Sequence, residues 1–129
     1  MILAVGTDIV EITRFQKALK NTPTLPQRLF TDTEQKKAKK LSLQKRIAHY
    51  AKRFAAKEAV AKACGTGIGS DIRWQDIEIS NDLKGKPFVT LSKKTQIFLK
   101  KKFKTKKISI FLSLTDERKY AMAFVILVS

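Results

Sequence analysis

The chain has one cysteine, one histidine and 11 acidic residues set against 27 basic ones. With Cys64 alone, no disulfide can close within the chain, which is what a reducing, cytoplasmic setting leads one to expect. With His49 alone, a Ser-His-Asp relay would have to run through that imidazole, and nothing in the spacing around it supports one. No stretch approaches the ~20 apolar residues of a membrane span. The opening MILAVGTDIVEI carries Asp8 and Glu11 inside its apolar run and has no basic segment before it, unlike a secretion signal. No internal repeat or low-complexity linker divides the 129 residues, so a single domain over 1–129 is expected.

The shortage of acid leaves a formal net charge of +16. Such a surface calls for an anionic partner: nucleic acid, an acidic protein or a phosphorylated small molecule. Much of the charge is diffuse. Lys36, Lys37, Lys39 and Lys40, and the run from Lys100 to Lys107, read as solvated helix faces.

What is present is pattern. Residues 2–12 alternate as a strand, with Ile2, Ala4, Gly6, Asp8, Val10 and Ile12 on one side. A short helix capped by Thr13 is predicted to run to Asn21, and Pro23 and Pro26 then break the chain. Thr31 followed by Glu34 has the spacing of a capping box opening a second helix. A long helix is predicted from Ser42 to Ala63, stopping at Gly65 in the loop GTGIG. Strands follow at Ile77 and Ile79 and at Phe88–Leu91, around a turn from Asn81 to Pro87. After them come a helix from Lys93 to Lys102 and two C-terminal strands joined at Asp116–Lys119. The last strand is apolar on both sides and needs cover on both, from helices or another subunit. The expected fold is α+β, a mostly antiparallel sheet packed on a long helix, and oligomeric.

Inside RFAAKEAVAKACGTGIG, residues 53–69, Glu58 shares a helix face with Ile47, Ala51 and Phe54. Asp8 shares its strand side with Ile2, Val10 and Ile12. An unpartnered buried carboxylate costs several kcal/mol. Either Lys62 pairs with Glu58 one helical turn away while Asp8 caps a local turn, or the two carboxylates hold a metal. Oxygen ligands with no histidine nearby would favour Mg²⁺ over zinc, with phosphates and waters completing its shell. Arg53, Lys57 and Lys62 would then serve the phosphates.

GTDIVEITR at 6–14, RLFTDTE at 28–34, RFAAKEAVAKACGTGIG at 53–69, DIEI at 76–79 and GKP at 85–87 together resemble the holo-[acyl-carrier-protein] synthase family of single-domain 4′-phosphopantetheinyl transferases. The likeness covers nearly the whole chain. It implies transfer of the phosphopantetheine arm of coenzyme A to a serine of apo acyl carrier protein, with release of 3′,5′-ADP. It implies Asp8 and Glu58 as Mg²⁺ ligands and catalytic residues, with the serine proton passing to Glu58 or to a water that it orients. Arg53, Lys57, Lys62, Gly65, Thr66 and Gly67 become candidate coenzyme contacts, and Gly85, Lys86 and Pro87 a coenzyme-side loop whose alternative is an ordinary hairpin turn. It further implies a homotrimer with sites between subunits, and an acidic carrier docked by Arg14, Lys17, Lys20 and Arg28.

One departure stands out. Many family members carry histidine where this chain reads Asp116 after Thr115, and a carboxylate there would repel phosphate unless Arg118 or Lys119 compensates. Two other readings remain: a basic nucleic-acid-binding module, with Phe103 inside the lysine run, and a broad-range transferase acting on other carriers. The first leaves Asp8 and Glu58 unexplained, and the second usually needs a chain about twice as long.

Overall fold

The computed structural model describes residues 1–129. The elements run β1 (Ile2–Glu11), α1 (Ile12–Asn21), α2 (Leu25–Leu29), α3 (Asp32–Lys39), α4 (Leu43–Ala63), a 3₁₀ turn (Trp74–Asp76), β2 (Ile77–Asn81), β3 (Pro87–Leu91), α5 (Lys93–Lys102), β4 (Ser109–Asp116) and β5 (Tyr120–Val128). The fold is α+β, as expected, but the strands form two antiparallel sheets: β1-β5-β4, and the hairpin β2-β3.

Several boundaries differ from the sequence reading. The first helix starts two residues early, capped by Glu11 without a side-chain bond, so Thr13 is not its cap. Pro26 sits in the first turn of α2, where a missing N–H leaves no helical bond unmade, so it starts a helix instead of breaking one. Ile2 leaves the buried side of β1 because the register with β5 slips between Ile2 and Ala4. The lysine run leaves the helix after Lys102, and Lys104 takes a left-handed backbone.

The long helix packs on the three-stranded sheet through an alanine-rich surface that includes Ala55, Ala59 and Ala63, against Ala123, Val125 and Leu127 of β5. Small side chains let the two layers approach closely, and the nearest approach is at Gly6. A Cβ there would stand 2.1 Å from the Ala59 carbonyl oxygen and 2.9 Å from the Ala63 nitrogen. Gly6 therefore sets the height at which β1 crosses α4. A second cluster, with Phe15, Leu29, Phe30 and Tyr50, seats α1 and α2 beside α4; Phe30 stacks on Tyr50 with centroids 4.4 Å apart.

The other face of the three-stranded sheet has no cover. Val5, Ile9, Phe111, Met122 and Phe124 stand between 40% and 60% exposed on it, while Ala121, Ala123, Val125 and Leu127 on the helix side are wholly buried. The apolar character of both sides of β5 thus has half its explanation within one chain.

Candidate active site

The close crossing at Gly6 brings Asp8, two residues along β1, beside the last two turns of α4. Lys62 Nζ reaches across to Asp8 Oδ1 at 2.9 Å and to the carbonyl oxygen of Thr7 at 3.1 Å. Glu58, one turn earlier, has no ion pair and no hydrogen bond of its own. Burial and then the negative charge of Asp8 push its carboxyl above the usual carboxylate range, against the pull of Lys62. Asp8, Glu58 and Lys62 therefore form one electrostatic unit, two carboxylates sharing a single ammonium. The expected alternative of a Glu58–Lys62 pair with Asp8 capping a turn is not what forms. Glu58 is half-buried at the edge of the apolar stripe, not in its middle.

The charge that is fully buried on α4 is Lys57, and this corrects its assignment to a phosphate. Lys57 Nζ donates to Glu34 Oε1 at 2.7 Å, to the Leu29 carbonyl at 2.9 Å and to the Trp74 carbonyl at 3.1 Å. An ammonium has three donors, and all three are used. Burial pulls the Lys57 pKa down, with Glu34 opposing the shift. Lys57 binds α4 to α3 and to the segments before and after it; it has nothing left for a ligand.

Arg53 is buried as well, at 3% exposed, but its donors are not all used: its Nε has no partner. Its guanidinium donates to Asn81 Oδ1, as does Lys37. Asn81 Nδ2 in turn donates to the Gly85 carbonyl at 2.9 Å, and Asp82 Oδ1 accepts from the amides of Lys84 and Lys86. Arg53 braces the hairpin that presents Gly85, Lys86 and Pro87. Gly85 has φ +89° at the turn, with open space around its Cα.

At the end of α4, Gly65 and Gly67 adopt φ of +77° and +63°, and their amides close on the carbonyls of Lys62 and Ala61. The chain thus folds back over the helix end; a Cβ on Gly67 would meet open space, whereas one on Gly65 would stand 2.7 Å from Lys102 Nζ. Thr66 spends its hydroxyl on the Gly67 carbonyl. Lys102 donates to the Cys64 carbonyl beside this loop, a cation where the helix dipole is negative.

On the other side of Asp8, Arg14 borders a cleft of about 260 Å³ floored by Val10, Phe15 and Phe54. Lys17, Lys20 and Arg28 are exposed on α1 and α2. Asp116 lies apart from Asp8 and Glu58 in its bonding: it pairs with Lys52 at 3.4 Å and lines a cleft of about 540 Å³ between α1 and α4. Arg118 lines the same cleft.

The two acidic groups suit Mg²⁺. No cluster of three or more histidine, cysteine or carboxylate ligands occurs in the chain, so a metal caged by protein alone is not offered. A pair of mutually repelling carboxylates that already recruits an ammonium is what a hard cation needs when phosphate oxygens and water supply the remaining ligands.

Residues 4–125 match the model of the 4′-phosphopantetheinyl transferase superfamily. The chain belongs to that superfamily. It is 44% identical over 126 residues to a holo-[acyl-carrier-protein] synthase of Pelagibacter ubique, covering 98% of this chain and 96% of the relative. The crystal structure of the holo-[acyl-carrier-protein] synthase of Neisseria meningitidis superposes with a TM-score of 0.89 at 34% identity, covering 100% of both chains. That of Bacillus anthracis, in complex with coenzyme A (3′,5′-ADP), superposes with a TM-score of 0.83 at 35% identity, covering 98% of this chain and 96% of that one.

For a phosphopantetheinyl transferase, the residues that sequence reasoning missed are those that hold others in place. Gly6 sets the approach of β1 to α4. Glu34 was legible only as a helix cap; its second oxygen accepts from Ile79 N at 2.7 Å and its first holds Lys57. Asn81 is the link between Arg53 and the GKP turn. Glu34 and Lys57 are 23 residues apart, Arg53 and Asn81 28, and Gly6 and Ala59 53, beyond the reach of helix or strand periodicity.

Proposed function

We propose that this chain is a holo-[acyl-carrier-protein] synthase, transferring 4′-phosphopantetheine from coenzyme A to a serine of apo acyl carrier protein. The observation that carries the reading is the Asp8–Glu58 pair, poised across β1 and α4 and sharing one cation, in a chain of this superfamily. In the transfer, the serine oxygen attacks the β-phosphorus of coenzyme A, the bond from that phosphorus to the bridging oxygen breaks, and 3′,5′-ADP leaves with the bridging oxygen. Asp8 and Glu58 would hold Mg²⁺, which when bound neutralises the pyrophosphate and the charge developing in the transition state. Glu58, or a water that it orients, takes the serine proton; burial and Asp8 hold its carboxyl above the usual carboxylate range, which suits a proton acceptor.

Lys62, the Gly65–Gly67 loop and the Gly85–Pro87 turn are the coenzyme contacts we favour. A single chain places the loop at one end of α4 and ties the turn to its middle through Arg53. Sites formed between subunits would bring the two together, and the uncovered apolar sheet face is the natural seam of a homotrimer. Arg14, which borders the small cleft, and Lys17, Lys20 and Arg28, exposed on α1 and α2, suit an acidic carrier. The lone, deeply buried Cys64 and the absence of any helix long and apolar enough to cross a membrane accord with a cytoplasmic setting.

Incubating apo carrier protein with the chain, coenzyme A and Mg²⁺, followed by intact mass measurement, tests the reading. A gain of one phosphopantetheine is expected; an unmodified carrier alongside folded protein would refute it.

A further inference from the structure

Three charges meet at the crossing of β1 and α4, and they do not balance. Asp8 and Glu58 carry two negative charges, and Lys62 supplies one positive. The ammonium does not lie back along its own helix toward Glu58. It crosses to β1, where Asp8 Oδ1 and the Thr7 carbonyl both accept from it, while the Lys62 side chain stays 54% exposed along its length. One of the two proposed metal ligands is thus bonded directly to the ammonium, and the other feels it only through space.

We infer that Lys62 is the resident counter-ion of the Asp8–Glu58 site in the absence of substrate, and that it couples the binding of metal to the binding of coenzyme. The inference rests on the reading of Asp8 and Glu58 as metal ligands. A divalent cation arriving alone must displace the ammonium from Asp8 and then share the site with it at close range, like charge against like. A cation arriving with a pyrophosphate meets no such opposition, because the phosphate oxygens give Lys62 a new anionic partner as it leaves Asp8. The lysine side of the pair is open to water while Asp8 is mostly buried, so the ammonium can leave Asp8 into solvent or onto phosphate. Lys62 then has two successive partners, Asp8 in the empty site and phosphate in the filled one. The consequence is that metal and coenzyme each tighten the other, by the same factor, as linkage requires.

Mn²⁺ binding to the whole chain, followed by the electron-spin resonance of the free ion, tests this with no turnover involved. It is measured with and without coenzyme A, with coenzyme A alone as a blank for metal held by the nucleotide. Wild type should bind Mn²⁺ weakly on its own and at least about tenfold more tightly with coenzyme A, within the range of ordinary coupling. Lys62→Met should bind Mn²⁺ alone at least about fivefold more tightly than wild type, and coenzyme A should tighten it less. Lys94→Met removes an equal charge from another exposed ion pair, with Asp76, and should behave as wild type. Lys62→Met binding Mn²⁺ alone no more tightly than wild type would overturn the inference while leaving the metal site intact. Loss of all protein-bound Mn²⁺, in every variant and with coenzyme A present, would instead remove the metal assignment and the inference with it. Asp8→Asn combined with Glu58→Gln marks that baseline.

Discussion

Lys57 and Glu34 form an ion pair of 2.7 Å in which neither side chain touches water. The pair is saturated on both sides. Lys57 adds two backbone carbonyls, and Glu34 adds the amides of Thr31 and Ile79. It joins α3, α4 and β2 and fixes the rotation of the helix that carries Glu58 on its next residue. Buried ion pairs contribute little net stability over an apolar pair of the same shape, but breaking one strands a charge.

Lys57→Met should therefore destabilise the chain by roughly 3–5 kcal/mol, measured by urea unfolding. Adding Glu34→Gln should recover part of that loss, because both charges are then gone while an amide oxygen remains to accept a backbone N–H. A single variant as stable as wild type would show that the pair is not holding the three elements together.

The crossing at Gly6 yields a second expectation. Gly6→Ala places a methyl group 2.1 Å from the Ala59 carbonyl oxygen, so the strand must lift from the helix. Overpacking of this sort costs about 1–3 kcal/mol and sometimes more. Asp8 rides on that strand, so turnover per folded molecule should fall as well, whereas Gly69→Ala, in open space and without a left-handed backbone, should disturb packing far less. Unchanged turnover in folded Gly6→Ala would show that the spacing of β1 and α4 does not govern the site.

The elements were readable because each follows a local rule. Thr31 and Glu34 form both halves of the capping box, and the helix from Lys93 to Lys102 ends where it was expected to. The site was half readable. The parity of Asp8 and the helical phase of Glu58 place both carboxylates on inward faces, and Lys62 reaches Asp8 where β1 crosses α4. The errors all concern positive charge. A lysine stem can run along a surface or through a core, and sequence spacing does not tell which, so Lys57 and Arg53 looked like ligand contacts when they are internal braces. Lys62 looked like a partner for its i−4 neighbour when it crosses to another strand. The single expected sheet became two for a similar reason, since pairing depends on which strands the long helix brings together.

His49, on α4, gives a pH test free of other imidazoles. It is buried, its Nε2 has no partner, and burial, then Arg53, Lys37 and Lys52, depress its pKa to about 3. The unfolded chain takes up a proton near pH 6.5, while the folded one resists until far lower. Stability from this residue is thus complete above pH 6.5 and is lost progressively between 6.5 and 3. Wild type should lose more unfolding free energy between pH 7 and pH 4 than His49→Gln does. Equal losses would mean that His49 titrates normally in the fold.

Asp116 forms only a partly exposed pair with Lys52, and exposed pairs contribute about 0–1 kcal/mol. Asp116→His should fold normally and keep or lower the KM for coenzyme A, because a carboxylate leaves a site expected to lie near phosphate. A large loss of activity in the folded variant would assign Asp116 a positive part, through Lys52 or Arg118.

Glu58→Gln keeps the shape of the side chain and removes the charge. Burial and Asp8 hold the Glu58 carboxyl above its usual range, so the native state resists ionising it. For a raised carboxyl, the ionised form burdens the fold at neutral pH, and the burden lifts as pH falls through the raised value. The variant should therefore melt at or above the wild-type temperature at pH 7, with the advantage shrinking toward pH 4. No ion pair is broken, because Lys62 is on Asp8. Turnover should nevertheless fall by several orders of magnitude: a metal contributes several kcal/mol to a phosphoryl-transfer transition state, and each ~1.4 kcal/mol is tenfold in rate. Scanning calorimetry and Mg²⁺-dependent carrier modification on the same preparation decide it. A variant that melts early yet turns over normally would place Glu58 in the scaffold and leave the transfer chemistry to other groups.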